Sequence, residues 1–179
     1  AQVFAALAKA HPDHPLLIAR QWQLAEATGQ QQEAETLYKA LAASKSSYAP
    51  YGTLKLALLH STNGTLVDTA AISAITEDKI FGSQAQSLLA AAQFRTGRAE
   101  FERNDYRAAA RAWEQALELT SQLSPNPIAP CLSEAIFRLG VEAFSREEYT
   151  QAEAHFRKAA DVDPEHGAAA LFEGAACHA

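Results

Sequence analysis

Apolar and small side chains recur every three or four positions between residues 106 and 119. The set is Tyr106, Ala109, Ala110, Trp113, Ala116 and Leu117. Because an α-helix has about 3.6 residues per turn, residues at this spacing lie along one side of it. The pattern predicts an amphipathic helix that buries one face against a neighbour.

The same pattern returns 43 residues further along the chain. The corresponding residues are Gly97 and Gly140, Tyr106 and Tyr149, Ala109 and Ala152, Trp113 and Phe156, and Ala116 and Ala159. This correspondence predicts a repeated helical hairpin. A hairpin of this kind cannot bury its apolar face alone, so we expect stacked hairpins that form an elongated scaffold with a binding face.

The residue types in the repeat predict close packing. Gly97 and Gly140 are expected where a backbone passes near another helix, because glycine has no side chain. Trp113 and Phe156 are expected to fill the space between hairpins.

The turns of the two hairpins are predicted at residues 103–106 and 146–149. There Asp105 and Glu148 lie near the positive N-terminus of the second helix, where an acidic side chain is favourable. Pro164 follows the last complete hairpin, and proline cannot continue a helix.

These motifs resemble those of the tetratricopeptide repeat family, a helix-turn-helix repeat of 34 residues. The residues that carry the resemblance are Leu139, Gly140, Tyr149, Ala152, Phe156, Ala159 and Pro164, with Gly97, Tyr106, Ala109, Trp113 and Ala116 in the preceding copy. The resemblance implies an all-α fold, a right-handed α-solenoid of stacked antiparallel hairpins. The longer offset is explained by a loop inserted at residues 121–130, where Pro125, Pro127 and Pro130 occur.

Weaker copies extend the pattern in both directions. A hairpin is expected at 15–43, with Gly29 at its turn and Trp22 where the family has glycine, and a degenerate hairpin at 48–76, followed by a connection at 77–83. The strong hairpins then occupy 89–120 and 133–164. Residues 3–10 and 167–178 are expected to be single helices, the latter because Gly174 follows Gly140 by one 34-residue period. We therefore expect one domain over 1–179 that is a fragment of a longer array.

Composition narrows the classes of partner. The 179 residues are 48% hydrophobic and 20% charged, which is ordinary for a packed chain. A net charge of −6 and the lack of a basic run argue against nucleic acid as the principal partner. No apolar run approaches the roughly 18 residues of a membrane span, so no direct membrane insertion is expected, and the cellular location stays open.

The sequence offers little for catalysis. His11, Asp13 and His14 lie in a Pro-containing segment that we interpret as a solvated loop instead of a metal site. Cys131 and Cys177 lack the spacing of metal ligands and are expected to be inert thiols. No phosphate loop or nucleophile motif is present. The expectation is a protein that is not an enzyme and needs no cofactor or metal.

The resemblance implies that the first helices line a groove that holds a peptide or partner segment. The candidate residues are Arg20, Gln23, Phe94, Arg95, Arg98, Phe101, Phe137, Arg138 and Phe144. Arginine beside aromatic rings suits an acidic, partly apolar peptide. Family members that clamp the terminal carboxylate of chaperone tails use Lys and Asn at sites that here hold Phe94, Arg98, Phe137 and Val141, so that subtype does not match.

Two alternatives to a binding groove stay open. The phenylalanines can simply pack between repeats, and the arginines can be solvated or paired with Glu102 and Glu134. At the level of function, the expected scaffold binds a protein or peptide. The alternative is a structural module that self-associates through its terminal helix, with Leu171 and Phe172 buried against another copy.

Overall fold

The computed structural model describes residues 10–11, 14–62, 67–122, 126–164 and 167. Within these residues the secondary structure is entirely helical, without a strand. The helices are α1 (Pro15–Ala27), α2 (Gln31–Ala42), α3 (Ala49–Thr62), α4 (Thr69–Ser73), α5 (Gly82–Glu102), α6 (Tyr106–Leu119), α7 (Ala129–Ser145) and α8 (Tyr149–Val162). The chain divides into two compact units, Ala1–Leu88 and Leu89–Ala179, and α5 crosses the division. The expectation of a single domain over 1–179 stays a prediction.

In the first unit, each of the helices α1 to α4 packs against the next. Gly29 connects α1 to α2 with a φ of 72°, a left-handed conformation that glycine adopts without strain. Trp22, which stands where the related family has glycine, is buried in a core with Ala25, Ala34 and Tyr38. At this position a large ring fills the core, whereas a glycine would allow a close approach of the backbone.

The segment after α3 differs from the sequence expectation. In the degenerate hairpin expected at 48–76, the second helix is α4, which has only five residues and whose N-cap Asp68 accepts a hydrogen bond from the Ala71 backbone N–H at 3.0 Å. Helix α5 begins at Gly82, within the expected connection. The reason is Asp78, whose Oδ1 accepts hydrogen bonds from the backbone N–H groups of Ile80 and Phe81 at 2.8 and 2.9 Å. This turn fixes the chain at the entry to α5.

In the second unit, the two strong hairpins have the same internal contact. A Cβ atom added at Gly97 would lie 2.4 Å from Nε1 of Trp113, and one added at Gly140 would lie 2.6 Å from Cε1 of Phe156. The close approach expected at both glycines is confirmed. We expected the two rings in the space between hairpins, and the structure shows that each ring packs against the first helix of its own hairpin.

The turns of these hairpins are also equivalent in backbone conformation. Asn104 and Glu147 have φ angles of 63° and 61°, in the left-handed region. Asp105 caps α6 by accepting a hydrogen bond from the Ala108 N–H at 2.9 Å, as the sequence predicts. Glu148 is likewise the N-cap of α8, so both acidic residues lie at a helix N-terminus as predicted, but the Glu148 side chain makes no capping hydrogen bond.

The inserted loop is partly described. Residues 123–125 lie outside the described residues, but Asn126 donates from Nδ2 to the Thr120 carbonyl at 2.9 Å and accepts from the Ile128 N–H at 3.0 Å. These bonds fix the loop at both ends, and α7 starts at Ala129 with Pro130 in its first turn. The helices expected at 3–10 and 167–178 lie outside the described residues apart from Ala10 and Gly167.

Candidate protein-binding surface

The first helices of the two strong hairpins, α5 and α7, expose an arginine at the same position of the repeat, Arg95 and Arg138. On α5, Arg95 and Arg98 are exposed, whereas Phe94 and Phe101 are half-buried. On α7, Arg138 is exposed and Phe137 is half-buried, as in the preceding copy, whereas Phe144 is exposed. We use the term first-helix face for the exposed side chains of α5 from residue 89 and of α7.

Three of the four candidate phenylalanines pack against the core. Phe94 and Phe101 contact the Trp113 ring at centroid distances of 6.3 and 5.6 Å, and Phe137 contacts Phe156 at 5.3 Å. All three lie against the buried cluster of the second unit. Their partial burial supports the packing interpretation and leaves part of each residue accessible to a partner.

Phe144 behaves differently from its counterpart Phe101. Each ring meets a tyrosine edge-on, Phe101 with Tyr106 at 5.2 Å and Phe144 with Tyr149 at 5.5 Å. The first pair is half-buried, whereas Phe144 is 39% and Tyr149 is 46% exposed. Val141, one turn before Phe144, is 42% exposed. These three residues, here called the apolar cluster, offer a surface to which a partner can bind by burial of apolar area.

Two candidate arginines are paired on their own helices. Arg98 lies 3.5 Å from Glu102, and Arg138 lies 2.7 Å from Glu134. All four side chains are about half exposed or more, so each pair contributes little to stability, on the order of 0.3–0.5 kcal/mol. A carboxylate from a partner can therefore compete for either guanidinium.

The candidates in the first unit are less organised. Arg20 donates a hydrogen bond from Nη1 to Gln23 Oε1 at 2.8 Å, and both side chains are exposed. Glu26, one turn further along α1, accepts a hydrogen bond from the Tyr38 hydroxyl and lies 3.5 Å from the Lys55 ammonium. Glu26 therefore contacts Tyr38 and Lys55 of the same unit.

An aromatic cluster in the first unit was not found by sequence reasoning. The Trp22 ring contacts Tyr38 and Tyr51 at centroid distances of 5.6 Å each, and Lys55 Nζ lies 4.8 Å from the Trp22 centroid. Burial raises the pKa of Tyr38 most, and the hydrogen bond to Glu26 raises it further. The helical spacing of Tyr51 and Lys55 was visible in the sequence, but nothing linked them to Trp22, 29 residues before Tyr51.

A cavity of about 500 Å³ lies beside this cluster. Its lining residues are Tyr51, Leu54, Lys55, Leu58, Ser83, Gln84, Ser87 and Leu88. The cavity is bounded by α3 and the first turns of α5, and one of its lining residues, Ser83, lies in the segment that the sequence predicted as a connection.

Groups suited to metal or acid–base chemistry are dispersed in the described ranges. Among those residues, no set of three His, Cys, Asp or Glu side chains could hold a metal ion. Cys131 is a free thiol whose pKa is raised by burial. The pKa of His155 is lowered by burial and by the charges of Lys158 and Arg107. Asp13 and Cys177 lie outside the described residues.

None of the described helices combines the length and the apolar composition that a transmembrane helix requires.

Comparisons with known proteins find a similarity among solved structures. No protein-family model matches the chain, and no curated protein matches it either. Among solved structures, the chain is similar to one described as the crystal structure of MamA protein, at 18% sequence identity. The alignment covers 91% of this chain and 83% of the other, with a TM-score of 0.36.

Proposed function

We propose that this protein is a non-catalytic scaffold that binds a peptide or partner segment on its first-helix face and on the adjoining Tyr149 of α8. The proposal includes the tetratricopeptide-like stacking of successive hairpins as an α-solenoid. The observation that carries it is the apolar cluster of Val141, Phe144 and Tyr149, which stays exposed although the equivalent rings of the preceding hairpin are half-buried.

The exposed rings favour binding because burial of their apolar surface against a partner stabilises the complex. Phe144 and Tyr149 are fixed edge-to-face, so little conformational freedom is lost when a partner covers them. Aromatic side chains of this kind dominate the energetics of many protein interfaces. An apolar side chain of the partner, placed on this cluster, would supply most of the affinity.

The charges beside the cluster favour an acidic partner. Arg138 lies one turn before Val141, and Arg98 occupies the corresponding position to Val141 on α5. Each arginine is held only by an exposed glutamate on its own helix. A partner carboxylate would replace a weak surface pair, and this exchange would orient the bound segment.

The test uses a displayed library of random peptides selected on the intact protein. We expect the selected peptides to combine an aromatic or aliphatic residue with Asp or Glu. The double variant V141S/F144S should weaken their binding at least tenfold, because about half of the buried apolar contact is lost.

The matched control is I80S, which removes an apolar side chain that is 77% exposed in the first unit. The control should bind the selected peptides as the unmodified protein does. Equal binding by V141S/F144S would contradict the proposed surface. Unchanged binding by R138E would contradict the acidic character of the partner while leaving the apolar contact in place.

A further inference from the structure

A second charged surface lies on the second helices of the same hairpins. Arg107 and Arg111 are exposed one turn apart on α6, and Lys158 is exposed on α8. The contact between the two helices is direct, because Lys158 Nζ lies 2.6 Å from Glu114 Oε1, one turn beyond Arg111. Arg107 acts electrostatically on His155, which precedes Lys158 by one turn on α8. We call Arg107, Arg111 and Lys158 the basic patch.

The two arginines lack internal partners. Neither Arg107 nor Arg111 forms a hydrogen bond or an ion pair with the residues the structure describes. By contrast, eight other Lys or Arg side chains pair with glutamates: Lys39, Lys55, Arg98, Arg103, Arg138, Arg146, Arg157 and Lys158. In a chain with a net charge of −6, two neighbouring guanidinium groups without a carboxylate are an unusual local excess of positive charge.

The repeat itself shows that the hairpin does not need these arginines. At the same positions of α8, 43 residues later, the chain has Thr150 and Ala154. Both helices are 14 residues long and bury the equivalent alanines and aromatic ring. Arg107 also lies in the first turn of α6, where the helix dipole disfavours a cation. Arg107 therefore imposes a small cost on folding, and neither guanidinium group is held by a hydrogen bond or ion pair among the described residues.

We propose that the basic patch binds an acidic segment of a protein partner through its carboxylates. The Cβ atoms of residues one turn apart on a helix are separated by about 5–6 Å. Carboxylates two residues apart in an extended segment are about 6.6 Å apart, so they can reach both guanidinium groups. This surface differs from the first-helix face, because it is formed by α6 and α8 instead of α5 and α7.

The surroundings of the patch limit the size and kind of the ligand. Glu114 is occupied by Lys158, and exposed Glu118 lies one turn further along α6. A nucleic-acid duplex carries an uninterrupted row of phosphates, which these glutamates would repel. A short acidic peptide can place its carboxylates on the arginines and end before Glu118.

The test measures binding of a labelled peptide of alternating Glu and Ser to the intact protein by fluorescence anisotropy. The matching peptide with Gln at every Glu should not bind. The double variant R107T/R111A introduces the residues that the second hairpin carries at these positions, so its circular dichroism spectrum and melting curve should be retained. We expect it to weaken binding of the Glu peptide about tenfold, the effect of two lost ion pairs.

The control variant R103A/R146A removes the same charge from two arginines that are paired on their own helices. Its binding should change by less than about twofold, since only long-range charge is altered. Equal weakening in both double variants, or no weakening in either, would overturn the proposal. A phosphoserine peptide or a DNA duplex that binds more tightly than the Glu peptide and loses binding in R107T/R111A would overturn the assignment to carboxylates of a protein.

Discussion

At the scale of single residues, the two helix-interior glycines of the strong hairpins leave room for an aromatic ring of the second helix. Glycine normally weakens a helix, and replacing it with alanine in an open helix stabilises a protein by about 1 kcal/mol. At Gly97 the added methyl group would instead lie 2.4 Å from the Trp113 ring. The position therefore tests whether packing overrides intrinsic helix propensity.

We predict that G97A lowers the free energy of unfolding by about 1–3 kcal/mol, the usual cost of overpacking a core. Urea unfolding followed by circular dichroism measures the change. A91S, at an exposed position of the same helix, is the control and should stay within about 0.5 kcal/mol of the unmodified protein. A stabilised G97A variant would show that α5 and α6 are not closely packed at this point.

Tyr38 provides a second residue-scale test through pH. Because its pKa is raised in the folded state, its contribution to stability is complete below pH 10. Above that pH, the unfolded chain loses the proton before the folded chain does, so stability falls as the pH rises.

We expect Y38F to show a smaller loss of stability than the unmodified protein between about pH 9 and pH 11. Urea midpoints at several pH values provide the measurement. Y48F, which alters a tyrosine on the surface, is the control and should keep the full loss. Identical pH profiles for Y38F and the unmodified protein would contradict a buried, hydrogen-bonded hydroxyl.

At the scale of the helices, the two hairpin turns differ in the side-chain cap of the second helix. Asp105 accepts a hydrogen bond from the Ala108 N–H, whereas Glu148 makes no such bond. The longer glutamate side chain is a weaker N-cap than aspartate. The repeat thus contains a natural comparison of a capped and an uncapped helix.

We predict that D105A costs about 1 kcal/mol of stability and that E148A costs a few tenths at most. Both values follow from thermal or urea unfolding under identical conditions. Similar losses in the two variants would show that the charge near the helix N-terminus, and not the capping bond, is what stabilises α6.

The helices also show what the sequence could and could not predict. Helices α6 and α8 were predictable because each buries one clear stripe, and their bounds begin at Tyr106 and Tyr149 as the turns indicated. The early start of α5 was missed because it depends on Asp78, whose side chain bonds with backbone groups instead of following a hydrophobic pattern. Local polar contacts of this kind do not appear in the hydrophobic periodicity.

The candidate surface was predictable to a similar extent. Helical spacing correctly placed Arg95, Arg98 and Arg138 on exposed positions. It could not distinguish Phe101 from Phe144, because the same motif surrounds both. Their different burial depends on tertiary packing around each ring, which a repeat in the sequence does not encode.

At the scale of the whole molecule, the proposed scaffold and the alternative self-assembling module predict different masses in solution. The proposed scaffold requires an accessible first-helix face and no second copy. We expect light scattering at two protein concentrations to give the same mass, that of one 19.3 kDa chain. A mass that rises with concentration would favour assembly, and the loss of that rise in L171S/F172S would assign it to the terminal segment.

The two tryptophans also give the molecule an optical property. The chain has two, Trp22 in the first unit and Trp113 in the second, and both are buried. The indole N–H of Trp113 donates to the Phe94 carbonyl at 3.1 Å, whereas that of Trp22 has no partner within the described part of the chain. Fluorescence of the W22F and W113F variants would therefore report on each unit separately, with emission at shorter wavelength from Trp22. The chain thus carries an intrinsic probe in each half, and no dye is needed to learn whether the halves unfold together.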